Sequence, residues 1–360
     1  MKFDPAMPYN TLPLLPPKAD IESKATLKKC ITANRALAEL KGVGELIPNQ
    51  TILINSIPLQ EAKFSSEIEN IVTTNDLLYR AAASPDSRTD PQTKEVLHYR
   101  AALKKGCDLI AKKPLSTNVI IDVCSCLLDR QITVRKIPGT CVANPTSKEV
   151  IYTPPTGEAV IRDKLGDLER FIHADDIFDP LVRLAITHYQ FEAIHPFHDG
   201  NGRTGRILNI LYLIENKLLD IPVLYLSRYI IENKKQYYSL LRGVTEKQDW
   251  EPWILYMLDA VEVTAIQTTN KIRRIYGLLE ETVEFCKKNL PVGIYSKELI
   301  EMIFIQPYCK IKFLVDADIA KRQTASKYLQ ELERVGVIAQ TRAGREVIYI
   351  NPKLVKLLSE

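Results

Sequence analysis

The sequence predicts a mainly α-helical protein with one β-hairpin and a C-terminal winged helix-turn-helix. Three observations carry that expectation. Long segments such as "LVRLAITHYQFEAI" and "ILNILYLIENKLL" repeat apolar residues at helical spacing. One segment, "ITVRKIPGTCVANPTSKEVIYTPPTGEAV", instead sets Val, Ile, Thr and Tyr around the turn signal "NPTSKE", as a hairpin would. From Pro291 the order becomes helix, helix pair, then two short strands around "RAGR", which is the order of a winged helix.

The elements follow in chain order. Residues 1–18 are rich in proline, which removes backbone donors, and predict an extended arm on the body of the protein. Helices begin at about Ile21. In "NQTILINSIPLQEAKFSSEIENIVTTNDLLYRAA" a short β-rich piece is expected before a helix starting at "SSEIENIV", where serine and then carboxylates look like a helix N-terminus. "SPDSRTDPQT" reads as a loop, followed by helices from about Lys94 to Leu128, the hairpin, and helices from about Ile161 to Lys287 interrupted near Pro222 and Pro252.

Composition narrows the function classes. With 360 residues, 46% hydrophobic and 26% charged, the chain has material for two or three globular domains. Its longest apolar run, "NVIIDVCSCLL", is short of the roughly 18 residues of a membrane span, and "MKFDPAMPYN" lacks the regions of a leader, so a cytoplasmic protein without membrane contact is expected. Seven cysteines without framework spacing predict free thiols. A net charge of +4 does not by itself imply nucleic-acid or membrane binding.

Chemistry concentrates in "HPFHDGNGRTGR", His195 to Arg206, at the junction of two apolar helical stretches. Gly200, Asn201 and Gly202 precede a helix whose N-terminal N–H groups and partial positive charge suit phosphate. Arg203 and Arg206, three residues apart, put two guanidinium groups on one face, as a polyphosphate requires. Asp199 is placed to hold Mg²⁺, and His195 to take a proton from an attacking hydroxyl. Phosphoryl or nucleotidyl transfer is the reaction class these parts predict.

The stretch resembles the signature of the Fic (filamentation induced by cAMP) domain family, HxFx(D/E)GNGRxxR, at every defined position. The resemblance implies AMPylation: transfer of AMP from ATP to a Ser, Thr or Tyr hydroxyl of a protein target, with Mg²⁺ and release of pyrophosphate. It implies His195 as general base, Asp199 as Mg²⁺ ligand, Gly200, Asn201 and Gly202 as the anion hole, Arg203 and Arg206 on the β- and γ-phosphates, and Phe197 as a core anchor. The hairpin is similar to the family's flap, with Thr140, Cys141 and Val142 as candidates for the edge that holds the target by strand pairing. "VLYLSRYIIENKKQYYSLL" is similar to the segment that helps form the nucleotide pocket, making Tyr237 or Tyr238 a candidate adenine contact, although tyrosines at helical spacing are also ordinary core.

"SSEIEN" fits the family's inhibitory motif (S/T)xxxE(G/N). On a helix Ser65 and Glu69 share a face. By itself that is a capped surface helix; the resemblance implies that Glu69 pairs with Arg206 in cis and disturbs ATP binding. The same glutamate could instead serve removal of AMP from a modified target. Transfer of another nucleotide or a phosphate is open too, as is a DNA-binding regulator whose core only senses nucleotide.

The implied organisation is an N-terminal arm and helical region with the inhibitory helix over residues 1–90, a Fic catalytic core over 91–260, a connecting helix over 261–290 and the winged helix over 291–360. From Ile294 onward the last unit has 11 Lys and Arg against 8 Asp and Glu, a weak positive excess. Lys321, Arg322, Gln323, Ser326 and Lys327 could reach DNA phosphates or base edges; the other reading is a module for homodimerisation or target binding. A rival metal set of the HD phosphohydrolase type, from His173, His198, Asp199 and Asp220, would leave "GNGR" and Arg206 without a role.

Overall fold

A computed structural model describes residues 3–84, 89–143, 147–174, 178–343 and 346–360. The N-terminal half contains α1 (Lys24–Gly44), α2 (Thr51–Ile68), α3 (Asn75–Ala83), α4 (Pro91–Ile110) and α5 (Thr117–Leu127). A two-stranded antiparallel hairpin follows, β1 (Val142–Ala143) and β2 (Val150–Tyr152). Residues 144–146, within the expected turn "NPTSKE", lie outside the described residues. The chain continues as α6 (Glu158–Ile172), α7 (Pro180–Ile194), α8 (Asn201–Glu215), α9 (Leu226–Glu232), α10 (Lys234–Lys247) and α11 (Trp250–Asn289). It closes with α12 (Lys297–Ile305), β3 (Tyr308–Cys309), α13 (Ile311–Asp316), α14 (Arg322–Arg334), β4 (Ala339–Ala343), β5 (Glu346–Ile350) and α15 (Pro352–Ser359).

Helices α7 and α8 are buried on almost every side, which is how a central helix pair differs from an amphipathic surface helix. Helices α4 and α5 cover α8, α6 and α11 cover α7, and α1 runs along α11. The proline-rich arm lies where expected: Lys164 Nζ donates to the Leu12 carbonyl at 2.6 Å, Gln190 Nε2 to that of Pro13 at 2.9 Å, and Tyr9 N to that of Thr153 at 3.0 Å.

Two expectations fail at α2. "TILINSIPLQ" is helix rather than strand, because Ile52, Leu53, Ile57, Leu59 and Ala62 are buried among α4, α9 and α12, and tertiary burial outweighs the β preference of isoleucine. "SSEIEN" is accordingly the end of this helix, not its beginning. Asn70 takes the left-handed conformation (φ 63°), Ile71 N bonds the Ser66 carbonyl and Asn70 N that of Glu67. That is a Schellman stop, and it makes Glu69 the last residue before the turn.

Pro252 does not interrupt a helix; it sits in the first turn of α11, where no bond is lost, and the break falls earlier, at Gln248 (φ 56°). Helix α11 also runs unbroken through the expected boundary at 260/261. The winged helix carries a third strand that sequence did not suggest, β3, giving sheet order β3-β5-β4. Gly344 and Arg345 of the expected turn lie outside the described residues.

Candidate active site

The loop from His195 to Gly200 joins α7 to α8 through two left-handed residues, His195 (φ 50°) and Gly200 (φ 78°). Local bonds hold it. Asn201 Nδ2 donates to the Phe197 carbonyl at 2.7 Å and Asn201 Oδ1 accepts from Phe197 N at 2.8 Å, while the Phe197 ring is fully buried. Arg135, 2% exposed, donates from Nε to the His195 carbonyl at 2.8 Å, and its own N–H reaches the Pro196 carbonyl at 3.0 Å. The hairpin is tied to the same corner, with the Tyr152 hydroxyl donating to the Ala193 carbonyl at 2.7 Å.

His195, Asp199, Gly200, Asn201, Gly202 and Arg203 line one open pocket of about 400 Å³ together with Glu69, Glu95 and His198. Burial, with Arg135 beside it, holds the His195 imidazole down to about 4, so the ring is neutral at pH 7. The N–H groups of Asn201, Gly202 and Arg203 are the first of α8 and have no partner within the helix, the arrangement that binds anions. Asn201 therefore contributes its backbone to the cradle, while its side chain holds the loop. Asp199 is exposed, and its Oδ1 accepts from Gly200 N at 2.6 Å.

Arg206 is 2% exposed and bonded to the end of α2. Its Nε donates to Ser65 Oγ at 2.8 Å, and its Nη2 to the Ser65 carbonyl and to Glu69 Oε1, each at 2.9 Å. Burial alone would raise the Glu69 carboxyl, but Arg206, helped by Arg203 and Lys234, outweighs it and holds Glu69 below its ordinary value. Glu69 also stands over the cradle: a methyl group added at Gly202 would lie 2.5 Å from Glu69 Oε1. The Glu69 carboxylate thus touches both the first turn of α8 and the Arg206 guanidinium.

The structure separates the two candidate tyrosines. Tyr237 is 2% exposed, pairs with His188 Nε2 at 2.8 Å and packs against Trp253 and Tyr256, so it is core. Tyr238 is 46% exposed; burial of its hydroxyl, with Glu69 nearby, pushes it up to about 12. At the hairpin, only Val142 lies in a strand; Thr140 and Cys141 precede it. The HD-type metal set does not assemble: His173 Nε2 pairs with the Leu115 carbonyl at 2.6 Å, Asp220 with Lys41 at 3.0 Å, and among the described residues no group of three or more His, Cys, Asp or Glu could hold a metal.

Sequence reasoning missed Arg135, Glu95 and Glu192. Arg135 stands out only as a charge within "ITVRKI". Glu95 bonds Arg203 Nη1 at 2.9 Å from a helix more than a hundred residues upstream. Glu192 lies one turn before His195, where burial pushes its carboxyl up to about 7.

Comparison with known proteins agrees with this geometry. The chain matches the model described as "Fic/DOC family N-terminal" over residues 27–108, "Fic/DOC family" over 114–213, and "Protein adenylyltransferase SoFic-like, C-terminal domain" over 278–354. The chain belongs to the Fic/DOC family. Among curated proteins it is 27% identical over 172 residues to a probable protein adenylyltransferase of Aquifex aeolicus, covering 47% of each chain. It is 32% identical over 170 residues to protein adenylyltransferase fic-1 of Caenorhabditis elegans, covering 45% of this chain and 31% of that protein. These matches thus cover less than half the length of either relative. Among solved structures, a Fic family protein from Desulfovibrio desulfuricans superimposes with a TM-score of 0.59 at 18% identity, over 93% of this chain and 98% of that one. Fic-1 from C. elegans gives 0.51 at 19% identity, over 69% and 73%. The Fic fold, mainly helical with a hairpin at the flap position, is therefore the fold of this chain.

Proposed function

We propose that this chain is a protein adenylyltransferase that transfers AMP from ATP to a Ser, Thr or Tyr hydroxyl of a protein and is held in check by Glu69. One observation carries the reading: a neutral imidazole, the first backbone N–H groups of α8 and the buried Arg203 converge on one pocket, with Glu69 at its edge tying up a second buried arginine, Arg206. The curated relatives carrying the adenylyltransferase name support the transferred group.

In this reading the polyphosphate lies against the N-terminus of α8 with Arg203 and Arg206 on its distal phosphates. The target hydroxyl attacks the α-phosphorus, its proton passes to His195, and the bond to the β-phosphate oxygen breaks to release pyrophosphate. The flap edge at Val142 holds the target segment, and Tyr238 is the remaining candidate for the adenine. Asp199 suits Mg²⁺, which takes one or two carboxylates and completes its shell with phosphate and water, rather than a cage built wholly of protein. When bound, Mg²⁺ supplies neutralising charge to the phosphates.

While Glu69 holds Arg206, the distal phosphate lacks its cation and the α-phosphorus its alignment. Among the described residues no helix is long and apolar enough to cross a membrane, and the seven free cysteines favour a reducing, cytoplasmic setting. On α14, Lys321, Arg322, Gln323 and Lys327 are exposed and Ser326 half-buried, which keeps a DNA partner in play.

The test is label transfer to protein from ATP carrying label at the α- or the γ-phosphate, using wild type, Glu69→Gly and His195→Ala. Label from the α position alone, raised by Glu69→Gly and abolished by His195→Ala, is expected. Label from the γ position would replace adenylylation with phosphorylation; label from neither, in folded protein that binds ATP, would favour a nucleotide sensor.

A further inference from the structure

Arg203 and Arg206 lie on the first two turns of α8, and each faces a carboxylate from the N-terminal part of the chain. Glu69 belongs to the reading above; Glu95 does not. Glu95 stands near the start of α4 and lines the same pocket as His195 and Asp199. Its Oε2 accepts from Arg203 Nη1 at 2.9 Å, and Arg203 itself is 4% exposed.

A second carboxylate is within reach of the same guanidinium. Asp199, four residues earlier, has its Oδ1 3.6 Å from Arg203 Nη2. A buried guanidinium deprived of a charged partner is strongly unfavourable, so the two carboxylates compete for it. Glu95 has the hydrogen bond, and Asp199 stands off by a few tenths of an ångström beyond hydrogen-bonding distance. Arg203 Nε is buried and has no hydrogen-bond partner among the described residues, so Glu95 and Asp199 meet only the outer nitrogens of the guanidinium.

We propose that Glu95 is a positioning residue: by holding Arg203 it keeps the Asp199–Arg203 ion pair long, at 3.6 Å with no hydrogen bond, and so leaves the Asp199 carboxylate available to the divalent cation that accompanies the polyphosphate. The proposal rests on the nucleotide-transfer reading. Without the Glu95 charge, Arg203 closes onto Asp199, and a cation must break that pair before it binds. The loss falls on cation affinity rather than on phosphate contact, because the N–H groups of α8 remain in place.

The experiment uses the full chain carrying Glu69→Gly, with and without Glu95→Gln, and measures ATP binding by calorimetry over a Mg²⁺ series and in EDTA. Glu95→Gln is expected to raise the half-saturating Mg²⁺ by roughly fivefold, the upper strength of an ordinary charge pair, and to leave binding in EDTA within about twofold. Glu95→Asp, which keeps the charge, is expected to recover at least part of the shift. Unchanged half-saturation would overturn the proposal. So would an equal loss with and without Mg²⁺, which would mean that Glu95 merely shapes the pocket, or tighter binding in EDTA, which would make Glu95 a competitor of phosphate. If Glu69→Gly alone binds no ATP, the nucleotide reading itself fails and this proposal with it.

Discussion

The loop from His195 to Gly200 and the last turn of α2 face the same pocket, yet they are held by different kinds of interaction. Every turn of the loop is closed on itself or on buried neighbours: Asn201 onto both backbone groups of Phe197, Asp199 onto Gly200, Arg135 onto His195. The α2 turn is anchored by apolar packing farther up the helix and reaches the site through Ser65 and a Glu69 side chain that is 37% exposed. On the proposed reading, a site built this way has a fixed receptor and a removable occupant. Changes in the loop should destroy function or stability, and a change at the tip of α2 should release function at small structural cost.

The largest effect is expected at His195. His195→Ala removes the group proposed to take the proton, and the transfer rate should fall by roughly 10²- to 10⁴-fold with ATP affinity little changed, as separate rate and binding measurements would show. Unchanged transfer would remove the loop from the chemistry. Next is Asn201→Ala, which strands a buried donor and a buried acceptor on Phe197; a stability loss of about 2–4 kcal/mol in denaturant titration is expected. A neutral result there would mean the loop is no more rigid than the α2 turn, and the contrast would dissolve.

Glu69→Gly should have a smaller effect of opposite sign on activity. Removing the carboxylate from a buried arginine that keeps its bonds to Ser65 should lower stability by about 1–3 kcal/mol while transfer rises roughly tenfold. Loss of stability and loss of activity together would identify Glu69 as scaffold. The smallest effect concerns pH. Because His195 is depressed to about 4, its basic neutral form persists above that value, so the rate of the Glu69→Gly variant should change by less than about twofold between pH 7 and 5.5. Glu69 itself raises the imidazole slightly, so its removal moves the acid limb lower still. An acid limb near 6.5 would indicate an imidazole in contact with water.

How much of this could be read from sequence follows from the same contrast. Loop chemistry is contiguous, so His195, Asp199, Gly200, Gly202, Arg203 and Arg206 declare themselves by residue type and spacing. The pairing of Glu69 with Arg206 is legible in the motif "SSEIEN", but its place at a helix C-terminus is not: local propensity favours a strand before it, and only burial of α2 among other helices makes Asn70 a stop signal. Helical spacing likewise could not tell Tyr237 from Tyr238, since adjacent residues differ only in which one faces His188 and Trp253. Arg135 and Glu95 act across 60 and 108 residues of sequence, and nothing near either one names its partner.

The most direct measurement is the affinity of Mg²⁺-ATP for wild type and for Glu69→Gly by isothermal titration. If Glu69 occupies the place of a distal phosphate on Arg206, the variant binds roughly tenfold more tightly. Equal affinities would contradict the account, because the carboxylate over Gly202 would then exclude nothing.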